Sequence, residues 1–321
     1  RLEALQAVRA DLAVIDGPPD MEELRRYQLR TGTIDDAWPL VGETLGRGEN
    51  VLWVRNTVDR ANTVYARAAE LFKDASVDVY HSRFRYQDRS ARHRRVIDRF
   101  RDPNRGSLLV ATQVAEMSLD LSADLLVTDE APVSALIQRM GRLNRRATPG
   151  NPSPPKTAII CALPTGGYAS KPYDDGDLDD GRRWVKALMD LGCPLSQKDL
   201  SDEFARQGRG RSVDVQAAQE AAEFFGVSGK IGLWRTVPGT TRADGITLSV
   251  LLERDVNVHV KERGSRDPNA DWVRRHEVSI PFKPQMLGWK RLRGIHIAPS
   301  SDLLYDFDDE TAEGTGARWA S

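Results

Sequence analysis

The sequence predicts an α/β fold, a parallel sheet with helices on both faces, followed by a smaller α+β C-terminal region. Three observations predict it. From residue 51, short apolar runs alternate with helically spaced segments in a β-α-β-α-β rhythm, as expected of parallel strands joined by crossover helices. After about residue 165 this rhythm stops and helical patterns follow. From Gly239 onward the texture turns to short runs of β character, VNVHV among them with strict apolar-polar alternation, the period of half-buried strands.

Residues 1–49 read as a helical lead-in. LEALQAVRADLAVI has helical spacing and stops at Gly17-Pro18-Pro19, and MEELRRYQLR reads as a second short helix. VLWVR (51–55) is the first buried strand, and Thr57 is suited to cap the helix VDRANTVYARAAELF that follows. VDVYHS (77–82) is a strand and DRSARHRRVIDRF (88–100) a very basic helix. SLLVAT (107–112) and DLLVTD (124–129) are strands, VSALIQRMGRLNRR (133–146) is a helix, and KTAIICALP (156–164) is the next strand. These elements make a sheet domain over 50–165.

Residues 166–321 read as a separate accessory region. DLDDGRRWVKALMDLGCPLSQKDLSDEFARQG gives two helices and VQAAQEAAEFFG another, while VNVHV, HEVSIPF, GIHI and LLYDF have strand character. The last twenty residues hold six acids, one arginine and two glycines and read as a loose tail. In open parallel sheets, functional loops lie at the carboxyl ends of the strands. Here those loops carry Arg55-Asn56-Thr57, His81-Ser82-Arg83, Thr112-Gln113 and Asp129-Glu130.

Composition narrows the class. The chain has 46 Lys+Arg against 47 Asp+Glu, a net charge of -1, so overall charge does not demand a basic cluster. Cys161 and Cys193 cannot build a disulfide framework. No apolar run approaches the ~20 residues of a membrane span, and the first residues lack a signal-peptide pattern. The start at Arg1 reads as a piece of a longer protein, and processing or trimming would give the same start.

QRMGRLNRR (138–146) nonetheless concentrates four arginines in nine positions. At helical spacing, Gln138, Arg142 and Arg145 fall within about 60° of one another, opposite Val133, Leu136, Met140 and Leu143. A helix over 133–146 would bury its aliphatic side and turn those three polar side chains out together, flanked by Arg139 and Arg146. Gly141 permits close approach by another group, at a helix-propensity cost of ~1 kcal/mol. A solvated basic face is the plain alternative. The Gln-x-x-Gly-Arg-x-x-Arg spacing is more restrictive, and it resembles the last helicase motif of superfamily 2 helicases.

The run VATQVAEMSLDLSADLLVTDEAPVSALIQRMGRLNRR (110–146) resembles two consecutive helicase motifs in the right order. It is most similar to the CRISPR-associated type I helicase-nuclease family. Upstream, VLWVRNTVDRA and VYHSRF resemble opening motifs of that family's second RecA-like domain. The resemblance covers residues 50–146 and thins beyond 165.

The resemblance implies roles for individual residues. Arg142 and Arg145 are expected to face the ATP γ-phosphate across a cleft, with Gln138 near the nucleotide or the domain interface, Gly141 near the nucleotide and Asp120 at the ribose hydroxyl. Asn56, Thr57, Ser82, Arg83 and Thr112 are expected along a single-stranded DNA backbone. The chemistry is consistent: guanidinium forks suit phosphate oxygens, and hydroxyl and amide donors suit phosphodiesters. Simpler explanations stand beside three of these loop residues. Thr57 is also explained by an N-cap, Asp120 by a turn cap, and His81 by a satisfied strand-end histidine. The resemblance further implies ATP and Mg2+ as cofactors, the Mg2+ held by a first RecA-like domain outside this chain. It implies that domain, a nuclease domain and an RNA-guided surveillance complex as partners, in the cytoplasm of a prokaryote and away from membranes.

Other signals carry less. Asp129-Glu130-Ala131 imitates the Mg2+-holding box of a first helicase domain, but it lies between second-domain motifs and no Gly-x-x-x-x-Gly-Lys-Ser/Thr loop precedes it. Residues 172–181 fail the calcium-loop pattern, with Asp180 in the glycine position and Lys186 in the glutamate position. The surplus of arginines between Arg83 and Arg105 fits a solvated helix face and a nucleic-acid groove alike. The reading is the C-terminal half of an ATP-dependent DNA translocase, inactive alone. The alternatives are another superfamily 2 helicase, acting in repair or on RNA, and a non-catalytic nucleic-acid-binding module.

Overall fold

A computed structural model describes residues 17–102, 105–117, 119–164, 170–192, 194–208, 247–264, 268–308, 311 and 313–320. Six strands form one parallel sheet: β1 (Tyr27–Gly32), β2 (Val51–Val54), β3 (Ser76–Tyr80), β4 (Ser107–Ala111), β5 (Leu125–Asp129) and β6 (Lys156–Cys161), in the order β1-β6-β5-β2-β4-β3. Before, between and after them lie helices α1 (Pro19–Glu22), α2 (Ile34–Gly46), α3 (Val58–Leu71), α4 (Tyr86–Arg101), α5 (Val114–Met117), α6 (Val133–Met140), α7 (Asp175–Asp190) and α8 (Gln197–Gly208).

The central strands are buried on both faces, so they read as continuous apolar runs. Side chains still alternate. Leu52 and Val54 of β2 enter the core under α6 and α7, whereas Val51 and Trp53 enter the core under α2 and α3. Helices therefore cover both faces, as predicted. No described helix is long and apolar enough to cross a membrane.

Several elements differ from the sequence reading. MEELRRYQLR does not form one helix: α1 ends at Glu22, and Tyr27–Gly32 adds to the sheet edge in register with Lys156–Cys161. The reason is tertiary, since Tyr27 is buried and pairs with Leu195 as well as with β6. The sheet layer thus begins inside the segment read as lead-in. It also extends past residue 165, because Trp184 and Leu188 of α7 and Leu200 of α8 belong to the same core as β2 and β5.

The helix read over 133–146 stops at Met140. Beyond it, Leu143 bridges Ala123 in parallel, with Ala123 N donating to Arg142 O and Asn144 N to Ala123 O, both at 2.9 Å. Asn144 takes φ 49°, and its side-chain amide donates to the carbonyls of Arg26 and Pro154. Tertiary pairing outweighs helix continuation once Gly141 has weakened it. The predicted apolar side survives: Val133, Leu136, Met140 and Leu143 are all buried.

The C-terminal region contains β7 (Thr247–Leu252), α9 (Glu253–Arg263), α10 (Ala270–His276), β8 (Val278–Pro281), β9 (Arg291–Leu292), β10 (Ile295–Ala298), β11 (Leu303–Asp306) and β12 (Gly316–Trp319). HEVSIPF, GIHI and LLYDF contain strands as read, but VNVHV lies within α9. Glu253 and Asp255 in its first turn, Lys261 and Arg263 in its last, and Gly264 with φ 65° after it are strong helix-end signals. They outweigh the local alternation. The tail read as loose is instead β12, antiparallel to β11. The helix read at VQAAQEAAEFFG, the N-terminal helix and Cys193 lie outside the described residues.

Candidate functional site

The turn after α6 gathers the residues expected to face nucleotide. The Ala123–Leu143 bridge draws the 119–124 segment against 141–146. Arg145 Nε then lies 3.3 Å from Asp120 Oδ1, and both side chains are well exposed, at 45% and 79%. Arg142 is half-buried: its Nε donates to Ala115 O at 3.2 Å and its Nη2 to Glu116 O at 2.6 Å. Burial, then the nearby Arg145, pull Arg142 below its ordinary pKa, and Asp120 opposes them. Gln138 is half-buried near the end of α6. Gly141 caps that helix with an ordinary φ of -64°, and a side chain there would meet carbonyls of Ile137 and Gln138 at 3.4 Å. Arg142, Arg145 and Asp120 thus lie together near the amino end of β5, although the arginines arrive on a turn rather than on a helix.

Arg139 is a correction. Read as flanking the exposed side, it is fully buried. Its Nε donates to Glu116 Oε1 (2.9 Å), its Nη1 to Thr128 Oγ1 (2.7 Å) and its Nη2 to Asn56 Oδ1 (3.2 Å) and Tyr173 Oη (3.1 Å). One signal was available: Arg139 stands three residues after Leu136 and four after Ala135, beside the apolar stripe.

Arg139 also redirects Asn56. With 2% exposure, Asn56 accepts from Arg139 and donates its Nδ2 to Glu130 O at 2.8 Å. Its backbone N donates to Asp129 Oδ2 and its carbonyl accepts from Gln113 Nε2. Asn56 is therefore an internal strut rather than a surface donor to DNA. Asp129 lies in the same network, 3.2 Å from Arg55, and burial raises its pKa against the pull of that arginine. The carboxylate that imitated a Mg2+ ligand is buried among arginines and amides.

The remaining DNA-side candidates ring the strand ends. Thr57 caps α3 by accepting from Arg60 N at 3.3 Å, so the capping role is real. Thr112 is buried, and its carbonyl accepts from Ala115 N at 3.0 Å. Ser82 and Arg83 are half-buried, and Arg83 Nη1 lies 2.7 Å from the exposed carboxylate of Asp59.

The C-terminal region braces this loop. Ala317 N donates to Arg83 O at 2.7 Å, and Gly316, at φ 71°, packs so closely that a Cβ would sit 2.5 Å from the same oxygen. Asn62 Nδ2 donates to Thr315 O, and Tyr305 Oη accepts from Arg85 N while donating to Asp88 Oδ2. The basic helix is spent on the same work. Arg92 is buried between Phe84 and Phe307, Arg85 pairs with Asp88 and Asp255, and Arg95 and Arg99 pair with Asp78. Arg85, Arg92 and Arg95 therefore tie this helix to the C-terminal region, while Arg94 and Arg101 remain exposed on it.

His81 is the satisfied strand-end histidine that its position allowed. It is buried, stacked on Phe84, and its Nδ1 accepts from Arg83 N at 3.2 Å, which leaves the proton on Nε2, 3.1 Å from Asn62 Oδ1. Burial, followed by Arg83 and Arg92, pushes its pKa well below the usual histidine value. The unfolded chain protonates near pH 6.5 while the folded chain resists, so stability is fully present above that pH and is lost as pH falls below it. The expected loss is up to about 1.4 kcal/mol per pH unit. Denaturant unfolding at pH 7 and 5.5 should show this dependence, and His81→Gln should remove about one proton's worth of it. An identical dependence in the variant would reassign the effect.

This stretch matches the family model for the C-terminal part of CRISPR-associated nuclease/helicase Cas3 over residues 47–148. A putative CRISPR-associated nuclease/helicase Cas3 from Myxococcus xanthus is 40% identical over 316 residues, 96% of this chain. The chain belongs to the Cas3 family. It spans 38% of the Myxococcus protein's length, so it corresponds to a part of such a protein. The Cas3 endonuclease/helicase of Escherichia coli is 42% identical over 102 residues, covering 30% of this chain and 12% of that protein. Crystalline T. fusca Cas3 with AMPPNP shares the fold, with a TM-score of 0.62 and 19% identity over 90% of this chain and 41% of that one. A similar fold also occurs in a chain of a CRISPR RNA-guided surveillance complex, pre-nicking, with a TM-score of 0.55 and 17% identity over 94% of this chain and 44% of that one.

Proposed function

We propose that this Cas3 region is the second RecA-like half of an ATP-driven single-stranded-DNA translocase in CRISPR defence. Its Arg142 and Arg145 act as arginine fingers toward ATP held by a first RecA-like domain. The observation that carries the reading is the convergence of Arg142, Arg145 and Asp120 near the amino end of β5. Arg145 is exposed and Arg142 is held by two carbonyls, so both guanidinium groups are preoriented without being neutralised by a buried carboxylate. Such donors fit γ-phosphate oxygens, where charge builds during phosphoryl transfer. Asp120 is assigned the ribose hydroxyl, and Gln138 and Gly141 the nucleotide's near side. Mg2+ would be held by the first domain, where it would offset the charge of the phosphates. Ser82, Arg83, Thr57 and Thr112 are assigned to the DNA track, with Asn56 supporting them from inside. The nuclease domain of the same protein and an RNA-guided surveillance complex are the partners.

The purified chain is expected to show no ATP hydrolysis above background, with or without single-stranded DNA, because it has no phosphate-cradling Gly-Lys-Ser/Thr loop. A full-length protein carrying the chain should hydrolyse ATP and respond to DNA. A malachite-green phosphate assay checks both. Robust DNA-stimulated turnover by the chain alone would overturn the division of labour proposed here.

A further inference from the structure

We infer that Arg139 is a positioning residue that couples the DNA-side loops to the nucleotide-side turn, so that DNA binding sets the geometry of Arg142. This rests on the reading that Arg142 faces ATP. Four segments meet at the Arg139 guanidinium: α5 through Glu116, the end of β5 through Thr128 Oγ1 and the Asp129 carbonyl, the end of β2 through Asn56, and the stretch after β6 through Tyr173.

A guanidinium presents its five N–H groups in one rigid plane. Moving any one of these segments therefore bends or breaks bonds to the others. A lysine would hold the charge but could not hold the geometry.

The bonds run in series from the 112–113 loop to the turn after α6. Gln113, in a DNA-side loop, donates to the Asn56 carbonyl at 2.9 Å. Asn56 accepts from Arg139, and Arg139 holds the Glu116 carboxylate from inside. Three residues further along the chain, Arg142 holds the carbonyls of Ala115 and Glu116 from outside. The short helix α5 is thus gripped by two arginines, one buried and one half-buried. A displacement of Asn56 or Gln113 reaches Arg142 through α5 and nothing longer.

Stability alone is a weak reason to bury an arginine–carboxylate pair, since desolvation offsets much of the attraction. A rigid junction between four loop-bearing segments is a sufficient one.

The test uses the full-length protein and measures ATP hydrolysis with and without single-stranded DNA, the ATP KM, DNA affinity and the thermal midpoint. For Arg139→Lys the DNA-free kcat, the ATP KM and the DNA affinity should stay near those of the unsubstituted protein, while DNA stimulation falls by roughly 5–150-fold, the usual range of a coupling effect. Glu116→Gln keeps the shape of the junction and removes the ion pair. It should reduce stimulation in the same sense, and it decides the matter if Arg139→Lys fails to fold.

Stimulation preserved in a folded Arg139→Lys protein overturns the inference. So does an equal fall of DNA-free and DNA-stimulated rates, which would make Arg139 part of the ATP site or a general support. Absence of any DNA-stimulated hydrolysis in the unsubstituted full-length protein overturns the functional reading itself, and this inference with it. The two failures are therefore distinguishable.

Discussion

Arg145→Ala in a full-length protein carrying this chain is expected to lower DNA-stimulated ATP turnover by roughly 10³-fold or more, the usual worth of an arginine finger, with little loss of DNA affinity. It should also leave the fold intact. The Arg145–Asp120 pair is exposed on both sides, and exposed pairs contribute at most about 1 kcal/mol. Arg142→Ala should lower turnover as severely but less cleanly, because Arg142 also anchors two carbonyls of α5. Arg83→Ala should do the reverse, weakening DNA binding first and flattening its salt dependence by about one phosphate contact. Steady-state ATPase assays and fluorescence-anisotropy DNA titrations at several salt concentrations separate these outcomes. If Arg145→Ala left turnover intact and caused only a modest, salt-sensitive loss of affinity, the finger assignment would fail and a non-catalytic binding module would be favoured.

Gly181→Ala is expected to destabilise the chain, against the ordinary preference of a helix interior for alanine. Helix α7 crosses the start of α6 at this residue. A Cβ on Gly181 would lie 2.2 Å from the Ala131 carbonyl oxygen and 3.2 Å from its carbon. Both are backbone atoms, so no side chain can swing aside. Propensity favours alanine by about 1 kcal/mol, but overpacking typically costs 1–3 kcal/mol and more where backbone must shift. A net loss of about 1–2 kcal/mol is expected. Gly176, five residues earlier in the same helix, meets nothing within 4 Å. Gly176→Ala should therefore be neutral or slightly stabilising. Opposite signs in chemical denaturation would verify the close crossing, and equal signs would refute it. Because Ala131 precedes the helix that carries Arg139, Gly181→Ala should also reduce turnover in the full-length protein.

The five sheet strands from Val51 onward were legible because burial on both faces demands unbroken apolar runs, and β2, β4 and β5 are buried throughout. The edge strand β1 was not legible. YQLRTG alternates weakly, and only pairing with β6 and packing of Tyr27 make it a strand. VNVHV failed the other way, since alternation over five residues cannot compete with acidic and basic helix ends plus a left-handed glycine. At the site, the Gln-x-x-Gly-Arg-x-x-Arg spacing suggested a helix through residue 146, whereas the helix ends at Met140. Arg142 and Arg145 are drawn toward the 119–124 segment because Leu143 pairs with Ala123, not because a helix continues.

Residue types and their spacing were enough to identify a parallel α/β sheet and the loops at its strand ends. Local pattern encodes burial period and functional-group identity, and both are properties of short stretches. Which arginines remain available to a ligand was decided by tertiary structure alone. Arg92 and Arg139 are as basic in sequence as Arg145, yet both are buried against partners far along the chain: Gly314 for Arg92, and Asn56 and Tyr173 for Arg139. A charged side chain's role depends on which distant groups desolvate and pair with it, and those contacts exist only once the chain has folded.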